Sequence, residues 1–297
     1  MAAMAGDAVA VIGAAGQTGR AAIAELQRRG GIPVRALIRR REQAGLFAEA
    51  VDCRVADLDD RASLSDALRG VGALLYIPPV FESREEAFGA NVIAAAEASG
   101  CRHILYHSVL HAATPDMPHH ARKARVELHL RHSSLTWTII QPAMYAETVL
   151  AFFDADRARL APGLDVTRPF NPVALRDLAE VSATILTQPG YDHATYELAG
   201  PDRLDVRGMA ACLSRLIGRP IYAENGNREE IVASVSNRLG FGSAQAAELR
   251  AMLDHYDRHG LVGNAGVLGM LLGRPPTSFA DALHGALTNN GLHIASH

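Results

Sequence analysis

Residue types that could do chemistry are most concentrated at Gly13-Ala14-Ala15-Gly16-Gln17-Thr18-Gly19. This glycine turn follows an apolar run, Ala8 to Ile12, and leads into an amphipathic run, Thr18 to Arg29, closed by Gly30-Gly31. A strand, a glycine turn and a helix in that order form a cradle for phosphate. Gly13 allows the tight turn, Gly16 lets the backbone approach a pyrophosphate, and Gly19 permits close packing of helix on strand. The helix N-terminus adds N–H groups and a partial positive charge. Gly13, Ala15, Gly16, Gln17, Thr18 and Gly19 are therefore expected to hold a dinucleotide, the bland alternative being a turn with a structural role alone.

The end of the next apolar run, Val34 to Ile38, bears on which dinucleotide. A carboxylate there would accept from a ribose 2′-hydroxyl and repel a 2′-phosphate. The chain instead reads Ile38-Arg39-Arg40-Arg41, with no carboxylate before Glu42. Arg39 is the residue expected to clamp a 2′-phosphate in a two-pronged contact, which favours NADP(H) over NAD(H). A solvated basic helix start is the competing reading.

These residues need a scaffold, and the first half of the chain spells one out. Short apolar runs alternate with amphipathic stretches, the pattern of a parallel sheet covered on both faces by helices. Strands are expected at 8–12, 34–38, 51–55, 73–77, 103–107 and 137–140. Helices are expected at 18–29, at 63–68 with a capping start at Ser63, at 85–99 closed by Gly100, and at 119–132. After Pro142 the pattern loosens into loops, with a helix at 177–187, a strand at 194–198, a helix at 207–217 and mostly helical chain from 231 to 287. The fold class expected is α/β, a Rossmann-type doubly wound parallel sheet with a smaller, mostly helical C-terminal substrate subdomain. Its divisions are 1–150 and 151–297, with parts of 165–200 returning to the core.

Taken together, these residues resemble the NmrA-like family, a branch of the atypical short-chain dehydrogenase/reductases. The resemblance runs through Val11 to Gly19, Val34 to Arg39, Asp57-Leu58-Asp59-Asp60 and Asn91 to Ala96. It continues through His107-Ser108-Val109, Lys123 to Glu127 and Gln141-Pro142-Ala143. It implies that Asp57 and Leu58 flank an adenine, that Ile77 and Pro78 line the cofactor cleft, and that Pro142 lies by the nicotinamide. The wider superfamily uses a Tyr-x-x-x-Lys pair, in which the tyrosine handles the proton and the lysine binds ribose. Here that spacing reads His119-His120-Ala121-Arg122-Lys123, so Lys123 is kept and His119 stands in the tyrosine position.

Lys123, His119 and Ser108 are accordingly the catalytic candidates. Lys123 could bind ribose, transfer a proton, or be a surface lysine paired with Glu127. His119 shares its helical face with Lys123 and belongs to the residue type that titrates near neutrality. Ser108 ends the fifth strand, where it could touch cofactor or substrate or cap the next turn. Tyr145 could contribute a hydroxyl to substrate binding or pack as a plain aromatic. Asn91, mid-helix among alanines, is expected to satisfy a backbone group. His107, His111, His119 and His120 have no Cys or acidic partner at a fixed interval, so no metal site is expected.

Composition sets the outer limits. The net charge of -3 offers no basic field for nucleic acid or an anionic membrane. The three cysteines, Cys53, Cys101 and Cys212, form no CxxC pair, which suits a reducing cytoplasm. No apolar run approaches the roughly 20 residues of a membrane span. The expectation is a cytoplasmic NADPH-dependent reductase, monomer or homodimer, acting on a small, fairly apolar carbonyl, enone or quinone. The alternatives are an NADP-binding regulator without turnover and a non-redox lyase or cyclase.

Overall fold

Seven of the apolar runs assemble into one sheet. In a computed structural model of the chain, which describes residues 7–289, the strands are β1 (Ala8–Ile12), β2 (Val34–Ile38), β3 (Asp52–Val55), β4 (Val71–Tyr76), β5 (His103–His107), β6 (Thr136–Pro142), β7 (Phe153–Asp154), β8 (Arg159–Leu160), β9 (Ala194–Leu198) and β10 (Tyr222–Ala223). The large sheet has the order β3-β2-β1-β4-β5-β6-β9. Its pairings from β3 to β6 are parallel, with Ile12 opposite Tyr76 and Tyr76 opposite Tyr106. At its far edge the Trp137 carbonyl accepts from the His193 N–H and the Ala143 N–H donates to the Leu198 carbonyl, so β9 runs the same way. Strand order reverses between β1 and β4, and the carboxyl ends of such neighbours are where open α/β sheets bind ligands.

Helices α1 (Gln17–Arg29), α2 (Arg61–Ala67), α3 (Glu85–Ser99), α4 (Pro118–Arg131) and α5 (Leu175–Thr187) follow in chain order, then α6 (Val206–Ile217), α7 (Arg228–Leu239), α8 (Ser243–His259), α9 (Ala265–Leu272) and α10 (Phe279–Asn289). A buried layer forms where Ala10, Leu74, Tyr76, Ile104 and Tyr106 of the strands meet Leu64, Val92, Val126 and Leu130 of α2, α3 and α4. Gly89 lets α3 lie close to α4, because a Cβ there would stand 2.8 Å from both methyl carbons of Val126. Helix α2 begins earlier than the Ser63 start expected. The Asp60 carboxylate accepts from the N–H groups of Ala62 and Ser63 at 2.9 and 3.2 Å and so fixes the N-terminus one turn upstream. Helix α4 likewise begins at Pro118, whose missing N–H is harmless in a first turn.

The chain divides into two compact units. One runs to Ala113 and includes His119–Gln141 and Leu178–Tyr196; the other comprises Thr114–Pro118, Pro142–Asp177 and the chain from Glu197 onward. In the second unit β10, β8 and β7 form a small sheet. There the buried Asp177 carboxylate accepts from the Thr277 N–H and hydroxyl, both at 2.7 Å, and from Arg274 at 2.8 Å. This network joins the start of α5 to the segment leading into α10. No helix among the described residues is long and apolar enough to cross a membrane.

Candidate functional site

The glycine turn lies at the carboxyl end of β1, beside the segment that leaves β4. Gly13 has φ +79°, and a Cβ on it would stand 2.5 Å from the Ile77 carbonyl oxygen. Glycine is required there by both backbone and space. Gly16 is different. Its φ of -72° and ψ of 166° suit any residue and it is exposed, although a Cβ there would stand 3.3 Å from the Gly13 carbonyl oxygen, to which its own N–H donates at 3.1 Å. A side chain at Gly16 would therefore ask only a few tenths of an ångström of the turn and project mainly into the space outside it. A Cβ on Gly19, inside α1, would fall onto the Gly13 carbonyl and Ala14, so this glycine serves packing. The N-cap, Gly16, contributes no side chain to its helix, and no acidic residue stands in the first turn of α1. Such an end is open to an anion.

The neighbouring strand ends carry the other expected cofactor residues. Arg39 is exposed directly after β2, with its N–H and that of Arg40 both donating to Gln43 Oε1, at 2.9 and 3.0 Å. Asp57, exposed after β3, accepts from the Asp59 N–H at 3.0 Å. The Leu58 carbonyl receives Asn91 Nδ2 at 2.8 Å, while Asn91 Oδ1 accepts from Arg61 Nε at 2.7 Å. Asn91 thus satisfies backbone, as its place in the helix suggested. Ile77 is half-buried and Pro78 buried immediately after β4. The turn between β1 and α1, Arg39, Asp57, Leu58, Ile77 and Pro78 all follow the carboxyl ends of adjacent parallel strands.

A second group lies at the ends of β4 and β5 and along the helices covering them. Lys123 of α4 donates to Glu85 Oε1 of α3 at 2.7 Å, and the Tyr106 hydroxyl donates to the same oxygen at 2.9 Å. Glu85 is wholly buried and Lys123 is mostly so. Burial, with Glu85 close by, holds the Tyr76 and Tyr106 phenols well above their ordinary range, so both stay protonated. The partner of Lys123 is therefore Glu85, not Glu127. Glu127, also buried, accepts from Ser108 Oγ at 2.5 Å and from Gln141 Nε2 at 2.7 Å. With its proton directed at Glu127, the Ser108 hydroxyl has lone pairs to offer a ligand, not a proton.

His119, the candidate proton donor, is a buried ring in the first turn of α4. Its ring packs 4.5 Å from Phe81 and 4.4 Å from His120, and Nδ1 is buried without a hydrogen-bond partner among the described residues. Burial first, then the nearby His120, Lys123 and Arg122, push its pKa down to about 2. At neutral pH the ring is held as the neutral imidazole, which keeps one N–H, and not as the more acidic imidazolium. The element that holds it is itself constrained: Phe81 and His111, in the loops after β4 and β5, both have left-handed backbones, at φ 53° and 58°. Phe81 meets His119, and the His111 carbonyl lies 3.3 Å from His120 Nδ1, so the first turn of α4 braces both loops. Backbone strain of this kind gathers at functional sites.

Pro142 and Tyr145 belong to the second unit. Pro142 is buried as the last residue of β6, and Tyr145 is half-buried where it bridges to Val173. Sequence reasoning did not identify Glu85 as a functional residue and gave Gln141 no role. Among the described residues no group of three or more His, Cys, Asp or Glu is arranged to hold a metal ion.

Comparison with known proteins adds to this geometry. The NmrA-like family model matches residues 6–275. The chain is 29% identical over 279 residues to the (4-alkanoyl-5-oxo-2,5-dihydrofuran-3-yl)methyl phosphate reductase of Streptomyces griseus, covering 92% of this chain and 95% of that one. An NADPH-dependent quinone oxidoreductase from Escherichia coli, solved with NADPH, superposes with a TM-score of 0.81 at 27% identity, covering 93% of this chain and 99% of that one. A negative transcriptional regulator solved with NADP, at 15% identity and a TM-score of 0.77, covers 97% of each chain and shares the fold.

Proposed function

Because the chain belongs to the NmrA-like family, we propose that it is an NADPH-dependent reductase of small, fairly apolar acceptors whose carbon–carbon double bond is conjugated to a carbonyl. The observation that carries this reading is the open turn at Gly16. Its φ and ψ would admit any residue, and a Cβ would press only slightly on the Gly13 carbonyl at 3.3 Å, yet a glycine stands where an uncapped helix end faces outward at the strand-order reversal. A pyrophosphate accounts for that choice.

The cofactor would rest on the backbone of Gly13, Ala15, Gly16, Gln17, Thr18 and Gly19. Arg39 would take the 2′-phosphate, Asp57 and Leu58 would flank the adenine, and Ile77 and Pro78 would line the cleft. Lys123 would hold the nicotinamide ribose, with Pro142 beside the ring. When bound, NADPH supplies a hydride. The chain's own contribution is orientation and charge. Lys123, tied to Glu85, presents an ammonium from a mostly buried position. Ser108 offers lone pairs to an amide or hydroxyl donor. His119, neutral and buried, would contribute an aromatic edge, and the proton that completes reduction of the acceptor would come from water. Tyr145 would lie on the substrate side.

Two relatives support this acceptor class. A 5-oxo-2,5-dihydrofuran and a quinone both carry a C=C bond conjugated to C=O, and both relatives are reductases. The test is a panel of quinones and enones offered with NADPH or NADH. NADPH should bind about ten- to a hundredfold more tightly than NADH, the worth of a charge-assisted contact of about 1.5–3 kcal/mol, and Arg39→Asp should narrow or reverse that preference. Tight NADPH binding with no oxidation across the panel would move the chain to the regulator reading.

A further inference from the structure

Burial makes the Glu85 carboxylate the least ordinary charge in the first unit. A glutamate in the first turn of a helix usually faces solvent, where it complements the helix dipole. Glu86, next to it, does so, reaching Arg125 and His129 at the surface. Glu85 instead has no exposure at all. Its Oε1 accepts both the Lys123 ammonium and the Tyr106 hydroxyl, whereas Oε2 is buried with no hydrogen-bond partner among the described residues. The Tyr76 hydroxyl, in the same buried layer, also has none. Tyr76 and Tyr106 are register partners at the last paired positions of β4 and β5, with rings 5.5 Å apart.

A buried ion pair is a poor way to gain stability, since desolvating two charges offsets most of their attraction, and apolar residues of similar volume often do as well. Keeping such a pair makes physical sense where one member must be held charged and aimed. Here the pair crosses from α3 to α4 and fastens the one lysine that follows the carboxyl end of β5.

We infer that Glu85 is the positioning residue of Lys123, the buried carboxylate that holds its ammonium toward the nicotinamide ribose, with the Tyr106 hydroxyl fixing the carboxylate in turn. This rests on the ribose-binding reading of Lys123. Glu85 touches neither cofactor nor acceptor and acts only through the lysine.

A double-mutant cycle on NADPH affinity, read by calorimetry on the whole protein, separates that role from a merely structural one. Glu85→Gln keeps an acceptor for Tyr106 and removes the charge. It should weaken NADPH binding about tenfold, the size of one charge-assisted contact. Lys123→Ala should weaken it at least as much, and adding Glu85→Gln to Lys123→Ala should change nothing further. Losses that multiply in the double variant would overturn the inference, as would a folded Glu85→Gln protein that binds NADPH like the parent. If Lys123→Ala itself binds NADPH normally, the ribose reading fails instead, which is a distinguishable result. Should Glu85→Gln not fold, Glu85→Asp keeps the charge and shortens the reach. It is expected to lose affinity several-fold in the parent background and none beside Lys123→Ala; parent-like affinity for this variant also overturns the inference.

Discussion

At the scale of single residues, environment decides roles that residue type leaves open. His119 stands where a catalytic tyrosine would be expected from the resemblance, and an ordinary imidazole could do a tyrosine's work. Burial first, then the neighbouring His120 and Lys123, argue against that role by taking its pKa down to about 2. His119→Phe should therefore leave the rate of acceptor reduction within a few-fold of the parent. A general acid would be worth about 10²–10⁴-fold, so a loss of that size in kcat would show that His119 does carry the proton. Glu85 illustrates the reverse case. Nothing in Glu85-Glu86 marks the first glutamate as buried, because its partner Lys123 lies 38 positions away and the contact exists only once α3 and α4 pack.

At the scale of elements, much was legible because apolar runs and their punctuation agree. β1, β2, β5, β9 and α3 occupy the spans expected, each bounded by glycine, proline or a polar turn. The start of α2 was misjudged because two caps compete within four residues, and Asp60 is the one whose carboxylate reaches the backbone. The two-residue strands β7, β8 and β10 left no periodicity to find. The three glycines of the turn look equivalent in sequence, and the structure separates them. Gly13→Val should cost stability, because it forces a β-branched side chain to positive φ against the Ile77 carbonyl. Gly16→Val should preserve the fold by circular dichroism and still abolish NADPH binding. Normal NADPH affinity in a folded Gly16→Val protein would remove the pyrophosphate from the turn.

For the whole molecule, the buried histidines make stability a function of pH. Burial lowers the pKa of His103 to about 4, of His107 to about 3 and of His119 to about 2, against an ordinary 6.5. Thr138 gives its single proton to the Tyr191 carbonyl, so His103 Nε2 must donate to Thr138 Oγ1, and a second proton would land on the buried Nδ1. Since the unfolded chain binds these protons more readily than the folded one, the stabilisation is present above pH 6.5. It is lost as pH falls from there through the folded values, at up to about 1.4 kcal/mol per pH unit for each histidine. Urea midpoints should thus drop steeply between about pH 6.5 and 4. A flat profile over that window would mean that these histidines are not held neutral by the fold.

The same whole-molecule scale contains the central claim, that a two-unit NmrA-like chain with an open glycine turn passes hydride from NADPH to a conjugated acceptor. The most direct measurement follows the hydride itself. NADPH carrying deuterium at the transferable nicotinamide position is mixed with the chain and an enone or quinone from the panel, and the product is analysed by mass spectrometry and NMR. The account predicts one deuterium in the reduced product, delivered to a carbon of the acceptor or, for a quinone, recovered as loss of label from the cofactor in step with hydroquinone formed. Label retained in NADPH while the acceptor stays unreduced across the panel would contradict it.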